Sequence, residues 1–133
     1  MKKTVFFVVA ALLSLYSFAQ ISTQKHIERI NKALSIGNVE AITPYLGSAV
    51  EVSVLNKNGI YSAAQTKNIL KNFFLSHKPI KFVILHSSGK KNSKYYIGNL
   101  TTKGNKEYRI FYVTKQNKDI PQITQFRIEN KIH

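Results

Sequence analysis

Few residues of this chain have types and positions that could carry a reaction. Glu51, His77 and His86 are candidates for a general base, which needs a pKa shifted by burial and a donor beside the reacting atom. His86 is the strongest of them, because it follows Phe82 and Ile84 at the alternate positions that share one face of a strand. Hydroxyl donors are available from Tyr61, Tyr95, Tyr96, Tyr108 and Tyr112.

Each candidate base also has a structural interpretation, which the sequence favours. His86 falls near the end of a strand, where it can be solvated or hydrogen-bonded. His77 ends a helix, where the helix dipole stabilises a cation, and Glu51 alternates with valines and so points to solvent. The chain has only 6 acidic residues and no evident acid–base pair. We therefore expect a non-catalytic protein and assign no catalytic residue.

The sequence predicts neither a metal nor a cofactor. His26, His77, His86 and His133 show no ligand spacing and no partner carboxylate motif. The absence of cysteine excludes disulfides, thiolate metal sites and a cysteine nucleophile. No phosphate loop or nucleotide-binding glycine motif is present.

Length and composition indicate one packed domain. The chain has 133 residues, of which 44% are hydrophobic and 20% charged, so intrinsic disorder is excluded. Its 20 lysines and arginines against 6 acids give a formal net charge of +14. Such an excess of positive charge favours anionic partners.

The first 20 residues have the three-part pattern of a secretory signal peptide. Lys2 and Lys3 precede an apolar run, and small residues at positions 17 and 19 suit signal peptidase. The apolar run is about 11 residues long, whereas a membrane span needs about 20. We expect cleavage after Ala19, so that residues 1–19 are the signal peptide and residues 20–133 form one exported domain, periplasmic or secreted. No later stretch is apolar enough to span a bilayer.

Helical periodicity comes first in the mature chain. Apolar residues at i, i+3 and i+7 predict an amphipathic helix over residues 23–36, which Gly37 ends. Asn38 is an N-cap, and it predicts a short second helix whose apolar positions run from Val39 to Leu46.

A hairpin and a third helix follow. Asn58–Gly59 predicts the hairpin turn, because both residues tolerate positive φ. Ser62 and Gln65 form a capping box, which predicts a helix reaching Ser76. Pro79 prevents that helix from continuing.

Strand periodicity dominates the rest of the chain. The alternation of Val50, Val52 and Val54 predicts a first strand, and Ile60 and Tyr61 begin a short returning strand. Short links between the later strands imply an antiparallel meander, over residues 80–87, 94–102, 106–114 and 121–129. The fold class is therefore α+β, in the order α-α-β-β-α-β-β-β-β. N-terminal helices cover one face of a six-stranded, mostly antiparallel sheet.

Both faces of this sheet carry apolar residues. Val83, Leu85, Phe111 and Val113 fall on the face opposite to Phe82 and its partners. A sheet with one solvated face alternates more cleanly, so either the sheet curls strongly or a partner covers the second face. A homodimer through this outer sheet face is one explanation.

The element order resembles the nuclear transport factor 2-like, or cystatin-like cone, superfamily, in which a strongly curved sheet wraps a long helix. More closely, residues 37–82 and the segments IGNLTT and QFRIE are similar to small secreted bacterial proteins known as domain of unknown function 4783. The resemblance covers about residues 24–129. It is carried by Gly37, Asn38, Asn58, Gly59, Tyr61, Ser62, Gln65, Leu70, Phe73, Phe74, Ile97, Gly98 and Arg127.

The leading interpretation is an exported, non-catalytic binding or interaction module, because the chain has a signal peptide pattern and no evident acid–base pair. The resemblance to the cone superfamily implies a pocket between the third helix and the sheet. Its partner would be an unknown small molecule or protein. The expected lining is Tyr61, Phe73, Phe74, His77, Phe82, His86 and Tyr108. Because the superfamily includes isomerases and dehydratases, a small isomerase or hydratase that uses His86 or His77 is the first alternative. The same aromatic residues could instead fill the core.

Lysines cluster at one end of the predicted meander. Alternate loops of a meander fall at the same end, with Lys103 and Lys106 at the other. We therefore expect a basic rim made of Lys90, Lys91, Lys94, Lys115 and Lys118. Binding of this rim to an anionic glycan, lipid or nucleic acid is the second alternative function. A lysine-rich soluble surface without a partner is the structural explanation.

Overall fold

The computed structural model describes residues 2–132, with side chains described for residues 7–12 and 22–132. Its elements follow the predicted order, with one short 3-10 turn between the second helix and the first strand. In chain order they are α1 Lys2–Ile36, α2 Val39–Ile42, the 3-10 turn Thr43–Tyr45, β1 Leu46–Val54, β2 Lys57–Tyr61, α3 Ala63–Ser76, β3 Pro79–Lys90, β4 Ser93–Thr102, β5 Lys106–Asn117 and β6 Ile120–Asn130.

Helix α1 begins well before the helix predicted over residues 23–36. The predicted signal peptide, residues 1–19 with cleavage after Ala19, falls on this extension. Met1 and the side chains of residues 2–6 and 13–19 lie outside the described residues, so export stays a prediction. Within the part of the chain that the structure describes, no helix is long and apolar enough to cross a membrane.

Local sequence signals set the end of α1 and the starts of α2 and α3. Gly37 has a φ of 70°, the left-handed conformation that glycine adopts at low cost after a helix. Asn38 accepts a hydrogen bond from the amide of Ala41 at 3.2 Å. The capping box is complete, because the Gln65 amide donates to Ser62 Oγ at 3.2 Å and the Ser62 amide donates to Gln65 Oε1 at 3.0 Å.

The six strands form one curved sheet in the order β2-β1-β6-β5-β4-β3. The predicted antiparallel meander from β3 to β6 is confirmed. The pairing of β1 with β6 is parallel, with Val52 beside Phe126 and Val54 beside Ile128. Because β2 and β3 are opposite edges of the sheet, α3, which connects them, must cross one face.

The face that α1 and α3 cover is the inner face, and it carries the core. Side chains from α1, α2 and α3 and from β1, β4, β5 and β6 are excluded from solvent in this core. The largest of them are Tyr112, Phe126, Ile30, Leu34, Ile42, Leu70, Leu100, Ile110, Ile123, Ile128, Val50 and Val52.

Aromatic rings line up across the inner face of three neighbouring strands. The Tyr112 ring stacks between Tyr96, at a centroid distance of 4.8 Å, and Phe126, at 6.2 Å. The Tyr112 hydroxyl donates to Asn31 Oδ1 of α1 at 2.7 Å. Burial raises the pKa of Tyr112 and that of Tyr96, because ionisation would place a charge in the core.

Two local predictions are wrong. The hairpin between β1 and β2 turns at Leu55–Asn56, not at Asn58–Gly59, whose residues lie within β2. Asn58 instead faces Ser53 across the hairpin and accepts a hydrogen bond from its hydroxyl at 2.8 Å, so strand pairing outweighs the local turn preference. Leu46, expected on the second helix, begins β1 because that helix closes in the 3-10 turn.

Candidate functional site

Four of the predicted pocket residues form one aromatic cluster inside the cone. The Phe73 ring stacks on the His77 ring with centroids 4.4 Å apart, and the Tyr108 ring meets them edge-on at 5.4 and 5.3 Å. Phe74 meets Phe73 edge-on at 5.3 Å. Because Phe73, Phe74 and Tyr108 are buried, three of the four rings belong to the core packing.

His77 follows α3 and is held by that helix. Its Nδ1 lies 3.0 Å from the carbonyl oxygen of Phe73, and its amide donates to the same oxygen at 2.8 Å. A carbonyl oxygen only accepts, so Nδ1 carries the proton in this contact. The contact gives the Phe73 carbonyl group, near the end of α3, a hydrogen-bond donor. In the neutral His77 ring, only Nε2 is then left as an acceptor.

Tyr61 and Phe82 lie apart from the aromatic cluster. The Phe82 ring packs against Gly98, where it occupies the space that a Cβ atom would need. Tyr61 pairs with Val50 near the opposite edge of the sheet. Two surface clefts of about 170 and 440 Å³ are lined by other residues, so neither is the predicted pocket.

His86 does not share a face with Phe82 and Ile84, which corrects the alternation that the sequence predicted. A β-bulge interrupts β3 at Leu85, so Ile84 and His86 pair with adjacent residues of β4 instead of residues two apart. One extra residue reverses the facing of everything after it, because side chains alternate with a period of 2. His86 therefore lies on the outer face, with Nε2 3.2 Å from the Tyr95 hydroxyl.

Two further candidates, Glu51 and His26, lie on other elements, and His133 lies outside the described residues. Glu51 is exposed and pairs with Gln125 of β6, as its structural interpretation predicts. His26 Nδ1 lies 2.9 Å from the Tyr45 hydroxyl, beside α2. Among the residues that the structure describes, no group of three or more histidines and carboxylates could hold a metal ion.

The outer face, the sheet face away from α1 and α3, carries a second aromatic group. The Tyr95 ring lies 5.9 Å from the Phe111 ring, and the Arg127 guanidinium lies 5.6 Å from the Phe111 ring centroid. The smaller cleft opens here, lined by Ile97, Arg109, Phe111, Arg127 and Glu129. Aromatic residues and arginines are the types that dominate the energetics of protein interfaces.

Half of the acidic residues of the chain lie on the outer face. Strand pairing places Glu51, Glu107 and Glu129, three of six acids, on the same side as Phe111. Arg127 Nε is 3.7 Å from Glu129 Oε1, and Arg109 pairs directly with Glu129 across the strands. This face therefore carries both signs of charge, whereas the chain as a whole is strongly basic.

Glu107 is held in place by two neighbours. Asn99 Nδ2 donates to Glu107 Oε1 at 3.1 Å, and Lys131 Nζ lies 3.0 Å from Glu107 Oε2. The Oδ1 atom of Asn99 is buried and has no hydrogen-bond partner within the described chain. The carboxylate is thus fixed on the outer face by an amide and an ammonium group.

The basic rim comes together at one end of the sheet. The β3–β4 and β5–β6 turns lie side by side, because Ser93 pairs with Lys115 and the Gln116 amide donates to the Asn92 carbonyl at 3.0 Å. Lys103 and Lys106 flank the turn at the other end. All five side chains of the rim are exposed, namely Lys90, Lys91, Lys94, Lys115 and Lys118.

Sequence reasoning did not identify Arg109, Arg127 and Glu129 as parts of one surface. Alternation assigns each of them to a strand face, but which residues of neighbouring strands meet depends on register. The one available signal was the use of arginine at two strand positions in a chain whose other basic residues are almost all lysine.

Known proteins share this sequence pattern and architecture. A sequence model of the family described as "Domain of unknown function (DUF4783)" matches residues 27–129. The crystal structure of a DUF4783 family protein from Bacteroides uniformis ATCC 8492 superposes with a TM-score of 0.74 at 25% identity, covering 80% of this chain and 97% of that chain. A DUF4783 family protein from Bacteroides fragilis YCH46 gives a TM-score of 0.71 at 28% identity, covering 77% and 96%.

A more distant structure shares the fold alone. An NTF-2 like protein of unknown function from Burkholderia xenovorans LB400 superposes with a TM-score of 0.63 at 8% identity, covering 86% of this chain and 88% of that chain. No curated protein matches the sequence. Since the family match spans most of the chain, and solved members have the same arrangement of helices and sheet, this chain belongs to the DUF4783 family.

Proposed function

We propose that this chain is an exported, non-catalytic interaction module that pairs with a second copy of itself through the outer face. The observation that carries the proposal is the mixture of charges there. Glu51, Glu107 and Glu129 lie on the same face as Arg109 and Arg127, in a chain of net charge +14. A strongly basic protein repels its own copies, so a face with both signs is where two copies can approach.

In a two-fold symmetric pair, the same face of each copy forms the interface. Both copies present the same patch, and each contact between one residue and another is repeated in the reverse sense. The arginines of one copy can then face glutamates of the other copy. The Tyr95 and Phe111 rings supply contact area between them, as aromatic anchors do in protein interfaces.

Apolar residues at the β3 edge support the same interpretation. Val83 is 41% exposed and Leu85 is 57% exposed, whereas Ile97, Phe111 and Val113 are half-buried. Covering this surface with a second copy would remove apolar area from water, which contributes roughly 25 cal/mol per Å². Such pairing would account for the second apolar face that the sequence indicated.

The cone interior supports a ligand pocket less well. Phe73, His77 and Tyr108 pack ring against ring, so a small molecule between α3 and the sheet would require these rings to move. The isomerase or hydratase alternative would need an enclosed base. His86 lies on the outer face beside Tyr95, and His77 is bonded to its own helix.

Export is the part of the proposal that rests on residues 1–19. Expression of the full chain in a bacterial host that secretes proteins tests it. The expected product is a mature chain beginning at Gln20 in the periplasm or medium, identified by intact mass. Retention of residues 1–19 on a cytoplasmic product would contradict export.

The pairing is tested on residues 20–133 by sedimentation velocity and native mass spectrometry at micromolar concentrations. We expect a two-chain species for the unmodified protein. Phe111→Glu should give a monomer, because a two-fold interface would receive two additional buried carboxylates. Leu75→Glu is the matched control, since Leu75 is 75% exposed on α3, away from the outer face.

Three outcomes would contradict the pairing. The first is a monomer at all concentrations, and the second is equal dissociation by both substitutions. The third is a monomer that carries a small molecule of defined mass, which would favour the pocket inside the cone.

A further inference from the structure

The two hairpin tips that form the basic rim are joined into one surface. The Gln116 amide donates to the Asn92 carbonyl across the tips, and Gln116 Nε2 donates to the Lys118 carbonyl at 3.1 Å. The tips, residues 90–94 and 115–120, contain five lysines and one acid, Asp119. Their positive charge is therefore concentrated at one end of a hydrogen-bonded scaffold.

An apolar side chain lies among these lysines. Ile120 follows the β5–β6 turn directly, pairs with Asn117 and is 44% exposed. A polyanion in solution would be attracted by the lysines alone and would gain nothing from an isoleucine. Lysines combined with exposed apolar side chains are instead typical of surfaces that lie in the headgroup region of anionic membranes.

The course of α1 places its N-terminal side at this end of the molecule. Its C-terminal end is far away, because Gly37 lies against Pro79 at the start of β3. Further back along the helix, Asn31 meets Tyr112 near the middle of the sheet. His26 then meets Tyr45, next to β1 residue Leu46.

Leu46 marks the level of the rim in the sheet. Leu46 pairs with Ile123 of β6, and Ile123 pairs with Thr114 of β5. Thr114 in turn pairs with Lys94 of the rim, so the four residues lie in one row across the sheet. The helix thus approaches the rim toward its N-terminal side, and both lie at the same end of the sheet.

We propose that the basic rim and Ile120 bind the surface of a bilayer that contains anionic phospholipids. The lysines contact headgroup phosphates as mobile point charges, and Ile120 enters the interfacial region. Lysine lacks the planar fork with which arginine grips a phosphate in one fixed geometry. The rim therefore selects for the density of negative charge and not for one particular headgroup.

This proposal is separate from the self-pairing proposed above. The rim lies at the end of the sheet, beyond the residues of the outer face that would meet in a pair. Phe111→Glu should change the affinity for vesicles by no more than a few fold. Any further loss would come from avidity, because a monomer presents one basic rim and a pair presents two. A failure of one proposal is thus distinguishable from a failure of the other.

Flotation of residues 20–133 with lipid vesicles is the experiment. Vesicles of phosphatidylglycerol and phosphatidylcholine in a 3:7 ratio should bind the protein, and binding should fall as salt is raised. Pure phosphatidylcholine vesicles should not bind it. A lysine near an anionic surface strengthens binding roughly fivefold, so the variant with all five rim lysines changed to glutamine should lose at least about 100-fold.

A second variant of equal net charge controls for total charge. It carries glutamine at five exposed lysines outside the rim, Lys71, Lys78, Lys81, Lys103 and Lys106. We expect it to bind the anionic vesicles within a fewfold range of the unmodified protein. Equal losses in the two variants, or no binding of the unmodified protein to anionic vesicles, would overturn the proposal.

Ile120→Ser separates a membrane from a polyanion in solution. This change should weaken vesicle binding severalfold, since it removes the apolar contact, and leave retention on immobilised heparin unchanged. Ile60→Ser is the matched control, because Ile60 is 76% exposed on β2. If heparin competes fully with vesicles and Ile120→Ser changes neither, the rim binds anionic polymers and the membrane proposal is wrong.

Discussion

Tyr95 and Tyr96 are neighbours in the chain, yet they belong to two different parts of the molecule. Tyr96 lies on the inner face, stacked on Tyr112, and burial raises its pKa. Tyr95 lies on the outer face, half-exposed, with its hydroxyl 3.2 Å from the exposed His86. Side chains alternate between the two faces along a strand, so neighbouring residues lie on opposite faces. The inner face is covered by helices, whereas the outer face carries both aromatic rings and charged side chains.

The difference between the two faces shows that apolar content alone does not identify a core. Both faces contain aromatic and branched residues, but only the inner face is covered by α1 and α3. On the outer face the apolar side chains are interrupted by Arg109, Arg127 and the glutamates. We therefore expect substitutions on the inner face to change stability, and substitutions on the outer face to change association.

The largest contrast should come from removing one tyrosine ring on each face. Tyr112→Ala leaves a cavity in the core and an unpartnered Asn31, and it should lower the free energy of unfolding by about 4 kcal/mol. Tyr95→Ala should cost less than about 1 kcal/mol, because its side chain is partly exposed and lies outside the core. Urea denaturation followed by circular dichroism measures both, and similar costs would break the distinction between the faces.

A methyl group added at Gly98 tests how tightly the inner face is packed. The new Cβ atom would overlap the Phe82 ring, so Gly98→Ala should destabilise the protein by about 2 kcal/mol. Gly104→Ala is not a suitable control, because Gly104 has a φ of 89°. Ser88→Ala, at an exposed position of β3, should be nearly neutral under the same urea titration.

The buried hydroxyl of Tyr112 predicts a loss of stability in alkali. Burial raises its folded-state pKa above the ordinary value of 10.0, so the stabilising contribution is complete below that pH. As pH rises above about 10, the unfolded chain releases a proton that the folded chain retains. The free energy of unfolding then falls by up to about 1.4 kcal/mol per pH unit for this group.

Tyr112→Phe isolates that contribution. At neutral pH it should cost about 1 to 2 kcal/mol, because Asn31 loses its donor. Between pH 10 and 11 the variant should lose less stability than the unmodified protein does. Parallel pH dependences in the two proteins would show that another group controls alkaline unfolding.

The smallest effect on stability should come from Arg127. Its contacts with Phe111 and Glu129 are partly exposed, so Arg127→Ala should cost about 0.5 kcal/mol of monomer stability. The same change should shift the two-chain species strongly toward monomer, because it removes a cation from the proposed interface. Unfolding at two protein concentrations distinguishes the two effects, and a stability loss without dissociation would place Arg127 in the monomer fold alone.

Much of the fold could be predicted because its signals are local. The capping box of Ser62 and Gln65, the stop at Gly37 and the cap at Asn38 each concern residues within one or two turns. The short loops between successive strands predicted the antiparallel meander from β3 to β6. Which of the candidate pocket residues meet could not be predicted in the same way, because contacts between α3 and the sheet depend on strand register and long-range packing.

The sequence by itself determined the element order, the end of α1, the starts of α2 and α3, and the grouping of lysines at one end, since each depends on spacing along the chain. Only the tertiary structure decided that β1 pairs in parallel with β6, that Tyr112 meets Asn31 81 residues away, and that a bulge at Leu85 turns His86 outward. The physical reason is register. A shift of one residue in strand pairing moves a side chain from one face to the other, and the register is selected by contacts between distant segments.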